Sequence, residues 1–274
     1  MSSYIKKLFD VKNKNIVVTG AAGTLGSEFV DILSQSGAHV ILVDIDKKIN
    51  QIEKNIQQKY NTKAKAYFLD ISKERNVVEL RKKIVIDFKK IHGLINSAGY
   101  TNVTAIKQSQ KVSIPFESFP SKLWKKMLSI NLTATFYFCR EFGSQMVKQK
   151  EGGSIVNIAS TYGMVGADQR IYGNSKINSS VSYAASKGGI INLTRYLAAY
   201  WQGKNIRVNT LSPGGVKDER YQTKSFVKKY SEKTMLGRMA KKDEYNGAVL
   251  FLLSDASSYM TGSNLVVDGG WTAW

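Results

Sequence analysis

Tyr183 and Lys187 lie four residues apart in the run Tyr183-Ala184-Ala185-Ser186-Lys187, which puts a phenol and an ammonium on one face of a helix. That pairing can run acid/base chemistry. A carbonyl under reduction needs a proton delivered to its oxygen as hydride reaches its carbon, and a tyrosine can deliver it. An unperturbed phenol has a pKa near about 10, so reversible transfer at neutral pH needs it lowered by about two to three units, or about 3–4 kcal/mol. A lysine ammonium about 4 Å away supplies energy of that order at an effective dielectric near about 20. The expectation is a phenol pulled down by its lysine. A second run, Tyr172-Gly173-Asn174-Ser175-Lys176, has the same spacing and competes for the role.

A glycine-rich turn, Thr19-Gly20-Ala21-Ala22-Gly23-Thr24-Leu25-Gly26, supplies the other half of such chemistry. Gly20 permits a tight turn, the small residues at 21 to 24 let the backbone approach a pyrophosphate, and Gly26 allows a helix to pack closely on a strand. The phosphates would sit on the N-terminus of the helix opened by Thr24 and Leu25. Asp44, followed by Ile45, stands twenty-four residues after Gly20 at the end of the next apolar run, placed to bond the adenosine ribose hydroxyls. A 2′-phosphate there would meet like charge. With no Arg or Lys inside the glycine loop to offset it, the pattern argues for NAD(H) over NADP(H). Asp70-Ile71 and Asn96-Ser97-Ala98-Gly99 end the third and fourth apolar runs, where the adenine and the second ribose are expected.

These groups need a frame, and the chain alternates short apolar runs with helical patterns. Asn15 to Thr19, His39 to Val43, Lys65 to Leu69, Gly93 to Asn96, Ser154 to Ile158, Ile206 to Leu211 and Asn264 to Val267 read as seven buried strands. The spacing of Leu25, Phe29, Ile32 and Leu33 gives a helix after the first, and further helical patterns separate the others. The expected fold class is α/β: a single-domain Rossmann fold over residues 1–274, with a seven-stranded, parallel, doubly wound sheet and helices on both faces. Long polar segments at about 101–120, 163–182 and 215–238 follow strands, at the end of the sheet where ligands bind.

Composition closes off other classes. The single cysteine, Cys139, cannot form an internal disulfide, and His39 and His92 stand far apart without partners at metal-ligand spacing, so no metal site is expected. Forty Lys and Arg against twenty-one Asp and Glu give a net charge of +19, yet only eight of the forty are arginine and the lysines are spread along the chain. That pattern reads as solvated surface rather than a nucleic-acid face. No stretch approaches the ~18 apolar residues needed to cross a bilayer, and the start lacks the apolar core of a signal peptide. A cytoplasmic protein with neither a membrane nor a nucleic-acid partner is expected.

Taken together, the glycine loop, Asn96 to Gly99, Asn131, Ser160, the Tyr183 to Lys187 run and Ile206-Arg207-Val208-Asn209 leading to Pro213-Gly214 resemble the short-chain dehydrogenase/reductase family. The resemblance runs from about Lys12 to Gly270. It implies reversible hydride transfer between a nicotinamide cofactor and a carbonyl or alcohol, in a homotetramer or homodimer. It implies that Ser160 bonds the substrate oxygen, that Asn131 serves a proton relay, and that Tyr183 and Lys187 act as acid/base and its partner while also touching cofactor. The cofactor contacts it carries over are Gly20, Gly23, Thr24, Leu25, Gly26, Asp44, Ile45, Asp70, Ile71, Asn96, Ala98, Gly99, Pro213, Gly214 and Val216.

The chain departs from the family pattern in two places. The middle glycine falls at Gly23, with Thr24 where a glycine is usual, which opens the question of which amides meet the pyrophosphate. The family separates its serine and tyrosine by about a dozen residues, which fits Tyr172, whereas Tyr183 lies 23 residues after Ser160. The downstream residues favour Tyr183. Ile190, Ile191, Leu193, Leu197 and Ala198 continue an amphipathic helix, and Pro213 comes thirty residues later, as in the family. About ten residues are therefore read as inserted within 163–182. Tyr162, Arg170 and Arg220, with Ser160 and Tyr183, are the expected substrate contacts, and the pocket is expected to be polar. The insertion and the ending Gly269-Gly270-Trp271-Thr272-Ala273-Trp274 resemble the branch that serves bacterial surface-sugar synthesis, flagellin modification included. A sugar, sugar phosphate or nucleotide sugar is the expected substrate, with a 3-oxoacyl-carrier-protein reductase, a polyol dehydrogenase and a non-catalytic NAD-sensing scaffold as alternatives.

Overall fold

β-branched runs such as Asn15–Thr19 suit a strand buried on both faces, because successive side chains point to opposite sides and all must find apolar neighbours. The computed structural model, which describes residues 3–101, 114–173 and 178–274, builds one sheet from seven such runs. They are β1 (Asn15–Thr19), β2 (His39–Asp44), β3 (Ala64–Phe68), β4 (Gly93–Asn96), β5 (Gly153–Ile158), β6 (Ile206–Pro213) and β7 (Asn264–Val267). All neighbours are parallel, in the order β3-β2-β1-β4-β5-β6-β7. The order reverses between β1 and β4, so the crevice at their carboxyl ends opens beside Thr19 and Asn96.

The period of two divides the core. After a short first helix, α1 (Ser3–Leu8), Ile16, Val18, Val40 and Leu42 face one side of the sheet, where they meet Phe29 and Leu33 of α2 (Thr24–Gln35), Ile49 and Ile56 of α3 (Ile49–Lys59), and Val249 of a late helix, Asn246–Leu253. Val17, Ile41, Val43 and Leu94 face the other, against Leu80 and Ile84 of α4 (Glu74–Phe88) and Phe138 and Phe142 of α6 (Ala134–Lys148). Between α4 and α6 comes α5 (Ser121–Leu128), followed by a π turn over Ser129–Thr133. Sequence pattern predicts one unbroken helix across 122–147, and the π turn interrupts it at Asn131. α7 (Val181–Tyr200) then carries Tyr183 and Lys187.

β3 forms one rim of the sheet. Its outward amide at Ala66 donates to Glu53 Oε2 at 3.2 Å, and Gln57 Nε2 donates to the Ala64 carbonyl at 2.9 Å, so two side chains of α3 cover that rim. Of the predicted loop at 101–120, residues 102–113 lie outside the described residues. The 163–182 segment forms two short 3-10 turns, at Thr161–Gly163 and Gln169–Tyr172, and residues 174–177 lie outside the described residues. The 215–238 segment is ordered by α8 (Lys224–Ser231) and by a parallel bridge between Val216 and Ala240, and Asn246–Leu253 follows as α9.

Candidate active site

At the end of β1 the chain turns through Gly20 at φ +67°, a left-handed conformation that favours glycine. Two contacts make the turn tight. A Cβ on Gly20 would lie 2.7 Å from the Ala98 Cα, and one on Gly26 would lie 2.0 Å from the Gly20 carbonyl oxygen. Thr19 Oγ1 accepts the amides of both Ser97 and Ala98 at 3.1 Å, which joins the glycine loop to the Asn96–Gly99 segment. The pattern-based reading missed this role for Thr19, whose only signal is a hydroxyl residue ending the strand before the glycine.

The Gly23 amide is taken by the Gly20 carbonyl at 2.9 Å, and no side chain caps α2. The amides of Thr24, Leu25 and Gly26, in the first helical turn, have no acceptor within the helix and point along its axis. Those three amides are the ones in the loop and first turn that could hold a phosphate group. Asp44 sits at the mouth. Its Oδ2 accepts the Ala22 amide and its Oδ1 the Asp46 amide, each at 2.9 Å, so the carboxylate fixes the loop and still faces outward beside exposed Ile45. Asp70 closes its own turn by accepting the Ser72 amide at 3.0 Å and hydroxyl at 2.7 Å, just before Ile71.

Ser160 comes two residues after the end of β5 and is buried, with its hydroxyl bonded to the Tyr183 phenol. Lys187 Nζ donates to the Ile158 carbonyl at 2.7 Å and lies 5.6 Å from the centre of the Tyr183 ring. The three residues expected at the centre are thus brought together. Tyr183 is there because Ser180 caps α7, accepting the Tyr183 amide at 3.3 Å. Tyr172 is not bonded to Ser160 but lies in the turn Gln169–Tyr172, packed in the neighbouring aromatic cluster with Tyr162, and Lys176 lies outside the described residues.

The electrostatics differ from expectation in one respect. Burial raises the Tyr183 pKa above its ordinary value, with only the Ser160 hydrogen bond acting to lower it. Burial also lowers Lys187, to about 8. The expected downward pull on the phenol is absent because the ammonium is itself desolvated and is held by a carbonyl.

Asn131 clamps the loop after β4. Its Oδ1 accepts the Tyr100 amide at 2.5 Å and its Nδ2 donates to the Tyr100 carbonyl at 3.1 Å and to Ser186 Oγ at 3.3 Å. The π turn aims it there. Asn96 faces the core, donating to Asn157 Oδ1 at 2.8 Å, and Asn157 donates in turn to Thr194 of α7 at 2.9 Å. Its part is to register β4, β5 and α7, while Ala98 packs closely on Gly20.

Beyond Pro213, Gly214 donates to the Val267 carbonyl at 2.9 Å and Gly215 to the Tyr230 hydroxyl at 2.6 Å. A cavity of about 120 Å³ lies between Gly214, Tyr230, Arg238, Tyr245 and Asp268. Tyr230, which pattern reading did not single out, stacks on Trp271 at 4.2 Å between ring centres. Trp271 is thereby buried where the 163–182 and 215–238 segments meet, and Trp274 is exposed. Of the expected substrate contacts, Tyr162 lies in that wall. Arg170 and Arg220 do not: each guanidinium is largely exposed and closes a two-pronged pair on the aspartate two residues before it, Asp168 and Asp218. Asp168 also bonds Lys233, so the inserted segment is tied to the segment after α8.

Comparison with known proteins finds relatives over nearly the whole chain. A family model described as enoyl-(acyl carrier protein) reductase matches residues 20–272. A short-chain dehydrogenase/reductase of Aspergillus versicolor is 31% identical over 98% of this chain and 91% of its own length. An NAD-dependent glycerol dehydrogenase of Listeria innocua is 32% identical over 97% of this chain and 96% of its own. Among solved structures, a short-chain type dehydrogenase/reductase from Mycobacterium marinum superposes with a TM-score of 0.85, at 25% identity and covering 100% of both chains.

Proposed function

The chain belongs to the short-chain dehydrogenase/reductase family, and on that premise we propose that it moves hydride between NAD(H) and a polyhydroxylated substrate, a sugar or sugar derivative. The observation that carries the reading is the meeting of Ser160, Tyr183 and Lys187 beside a wall of phenols. When bound, the nicotinamide supplies or accepts the hydride. The chain does the rest. Ser160 holds the substrate oxygen, Tyr183 gives that oxygen its proton or takes it back, and Lys187, anchored on the Ile158 carbonyl, keeps its ammonium 5.6 Å from the phenol ring. Asn131 fixes the Tyr100 backbone at the rim of the site. The amides of Thr24, Leu25 and Gly26 hold phosphate, and the Asp44 carboxylate favours a ribose diol over a 2′-phosphate, which supports NAD(H).

The proposed setting is surface-sugar synthesis, flagellin modification included, which rests on the resemblance of the 163–182 insertion and the Gly269–Trp274 segment. The proposed compartment is the cytoplasm. The proposed assembly is a homotetramer or homodimer, which would cover the stacked and exposed Tyr196 and Tyr200 of α7. A polyol dehydrogenase is the second reading, favoured by the named activity of the Listeria relative.

Titrating the purified protein with NADH and NADPH by nicotinamide fluorescence, then assaying keto-sugars, sugar phosphates, nucleotide sugars and polyols, tests the proposal. The expected result is tighter NADH binding and turnover on one polyhydroxylated class, lost in Tyr183→Phe. Binding of neither cofactor would overturn the reading. Turnover confined to simple polyols would select the second, and cofactor binding without turnover would move the weight to an NAD-sensing scaffold.

A further inference from the structure

Two phenols beside the reacting centre have no part in the proton transfer just described. Tyr162 lies two residues beyond Ser160, and its amide donates to the Ser160 hydroxyl oxygen at 3.2 Å. The Tyr162 ring meets Trp271 edge-on at 6.4 Å, which fixes its direction. Its own hydroxyl is buried and lies within reach of the Tyr172 hydroxyl, out of line for a well-formed hydrogen bond. Two hydroxyls so placed keep unused hydrogen-bonding capacity between them, which a group from outside the fold can take up.

The phenol it faces belongs to Tyr172, from the inserted segment. Tyr172 is held on two sides. Its ring packs on Phe226 of α8 at 5.3 Å, and its hydroxyl neighbours Ser179. Gln169 and Ser179 exchange two hydrogen bonds, at 3.1 and 3.2 Å, which pinch the base of the loop that carries it. Tyr162 and Tyr172 both lie close enough to Tyr183 for its charge to raise their pKa values further, after burial has done most of the raising. Both therefore stay neutral. A neutral phenol donates one hydrogen bond and accepts others, which matches a hydroxyl group better than an anion. The cations of the adjoining turns face other acceptors: Lys229 the Arg170 carbonyl at 3.4 Å, and Lys233 and Arg170 the carboxylate of Asp168.

We propose that the Tyr162 and Tyr172 hydroxyls form a second polar subsite, which takes a substrate hydroxyl on the carbon next to the one that exchanges hydride. The enzyme then selects α-hydroxy ketones and vicinal diols over their deoxy counterparts. This rests on the oxidoreductase reading above and names the group that the substrate must carry. The insertion has a purpose on this view, since it brings Tyr172 to a wall that Tyr162 alone would leave half built.

The test is kcat/KM with NADH for a series of three- to six-carbon α-hydroxy ketones and the matching ketones without the hydroxyl, using wild type, Tyr162→Phe and Tyr172→Phe. Wild type is expected to favour the hydroxylated member of each pair by at least about tenfold. Each variant should lose the preference for the hydroxylated member by about tenfold, mainly through a raised KM on that member, with a smaller loss on the deoxy member. NADH titration of each variant checks that the cofactor site is intact. Equal losses on both members, or no loss on either, would overturn the subsite and leave the redox reading standing. A wild-type chain that binds NADH and reduces no member of the series would overturn the subsite, and the redox reading falls with it only if the sugar phosphates, nucleotide sugars and polyols assayed above are not turned over either.

Discussion

Lys187 Nζ donates to the carbonyl oxygen of Ile158 at 2.7 Å, and Ile158 is the last residue of β5. The strand that delivers Ser160 two residues later therefore also anchors the lysine. Backbone rather than carboxylate holds this buried cation, and a carbonyl dipole offsets only part of its desolvation.

Removing that cation should change how stability depends on pH. The Lys187 pKa is about 8 in the fold against an ordinary value of 10.5, so the charged form is disfavoured on folding. The penalty is nearly whole at pH 7, shrinks as pH rises through about 8 and is gone above about 10.5. Lys187→Met lifts that penalty and orphans the Ile158 carbonyl at every pH, so relative to wild type it should be more favourable at pH 7 than at pH 10 by about 2–3 kcal/mol. Denaturant unfolding at both pH values measures it, and activity should fall at least about a hundredfold. A difference from wild type that is the same at pH 7 and pH 10 would contradict it.

Tyr183→Phe should reduce turnover by about 10²–10⁴-fold in both directions with NADH binding kept. Burial holds the phenol protonated, since its pKa is raised. Carbonyl reduction needs the phenol and should stay level through neutral pH, falling only on the alkaline side. Alcohol oxidation needs the phenolate and should rise with pH over the same range. Initial rates in each direction from pH 6 to about 10 give the comparison; an oxidation rate that fell with rising pH would exclude Tyr183 as the base.

Two glycines of one loop should respond differently. Gly26→Ala drives a methyl to 2.0 Å from the Gly20 carbonyl oxygen, and Gly23→Ala brings one only to 3.1 Å. The first is expected to abolish NADH binding, and the second to weaken it by less than about tenfold, a shift under about 1.4 kcal/mol. Fluorescence titration of both variants separates them.

Asp44→Ser removes the charge that a 2′-phosphate would meet and one anchor of the Ala22 amide. NADPH should gain on NADH by about tenfold or more in kcat/KM, with some loss in the NADH value itself. A constant ratio would place the cofactor choice elsewhere.

Much of the frame was legible because parallel strands buried on both faces are written as continuous apolar runs. β1, β4 and β7 begin and end where the pattern puts them, and β3 is displaced by one residue. The Tyr183 assignment was legible from the helix behind it. The features that escaped depend on contacts between distant segments or on local closure that spacing does not show. Tyr230 meets Gly215 only after α8 folds back, and Arg170 and Arg220, bare cations on paper, each close on an aspartate two residues away. The direction of the Tyr183 shift also escaped, because burial of the lysine that should lower it is a property of packing and not of spacing.

The rim at β3 has a consequence for how the chain avoids misassembly. A parallel sheet is completed late, from segments far apart in sequence, and an open strand in the meantime is a template on which another molecule can add. Glu53 and Gln57 already hold the Ala66 amide and the Ala64 carbonyl, so an incoming strand would have to displace two side chains of α3 before gaining a hydrogen bond. Lys65, between them in sequence, would add an unpaired cation if it left Asp87. The same helix that seals the core thus also guards the newly made protein against strand-by-strand aggregation.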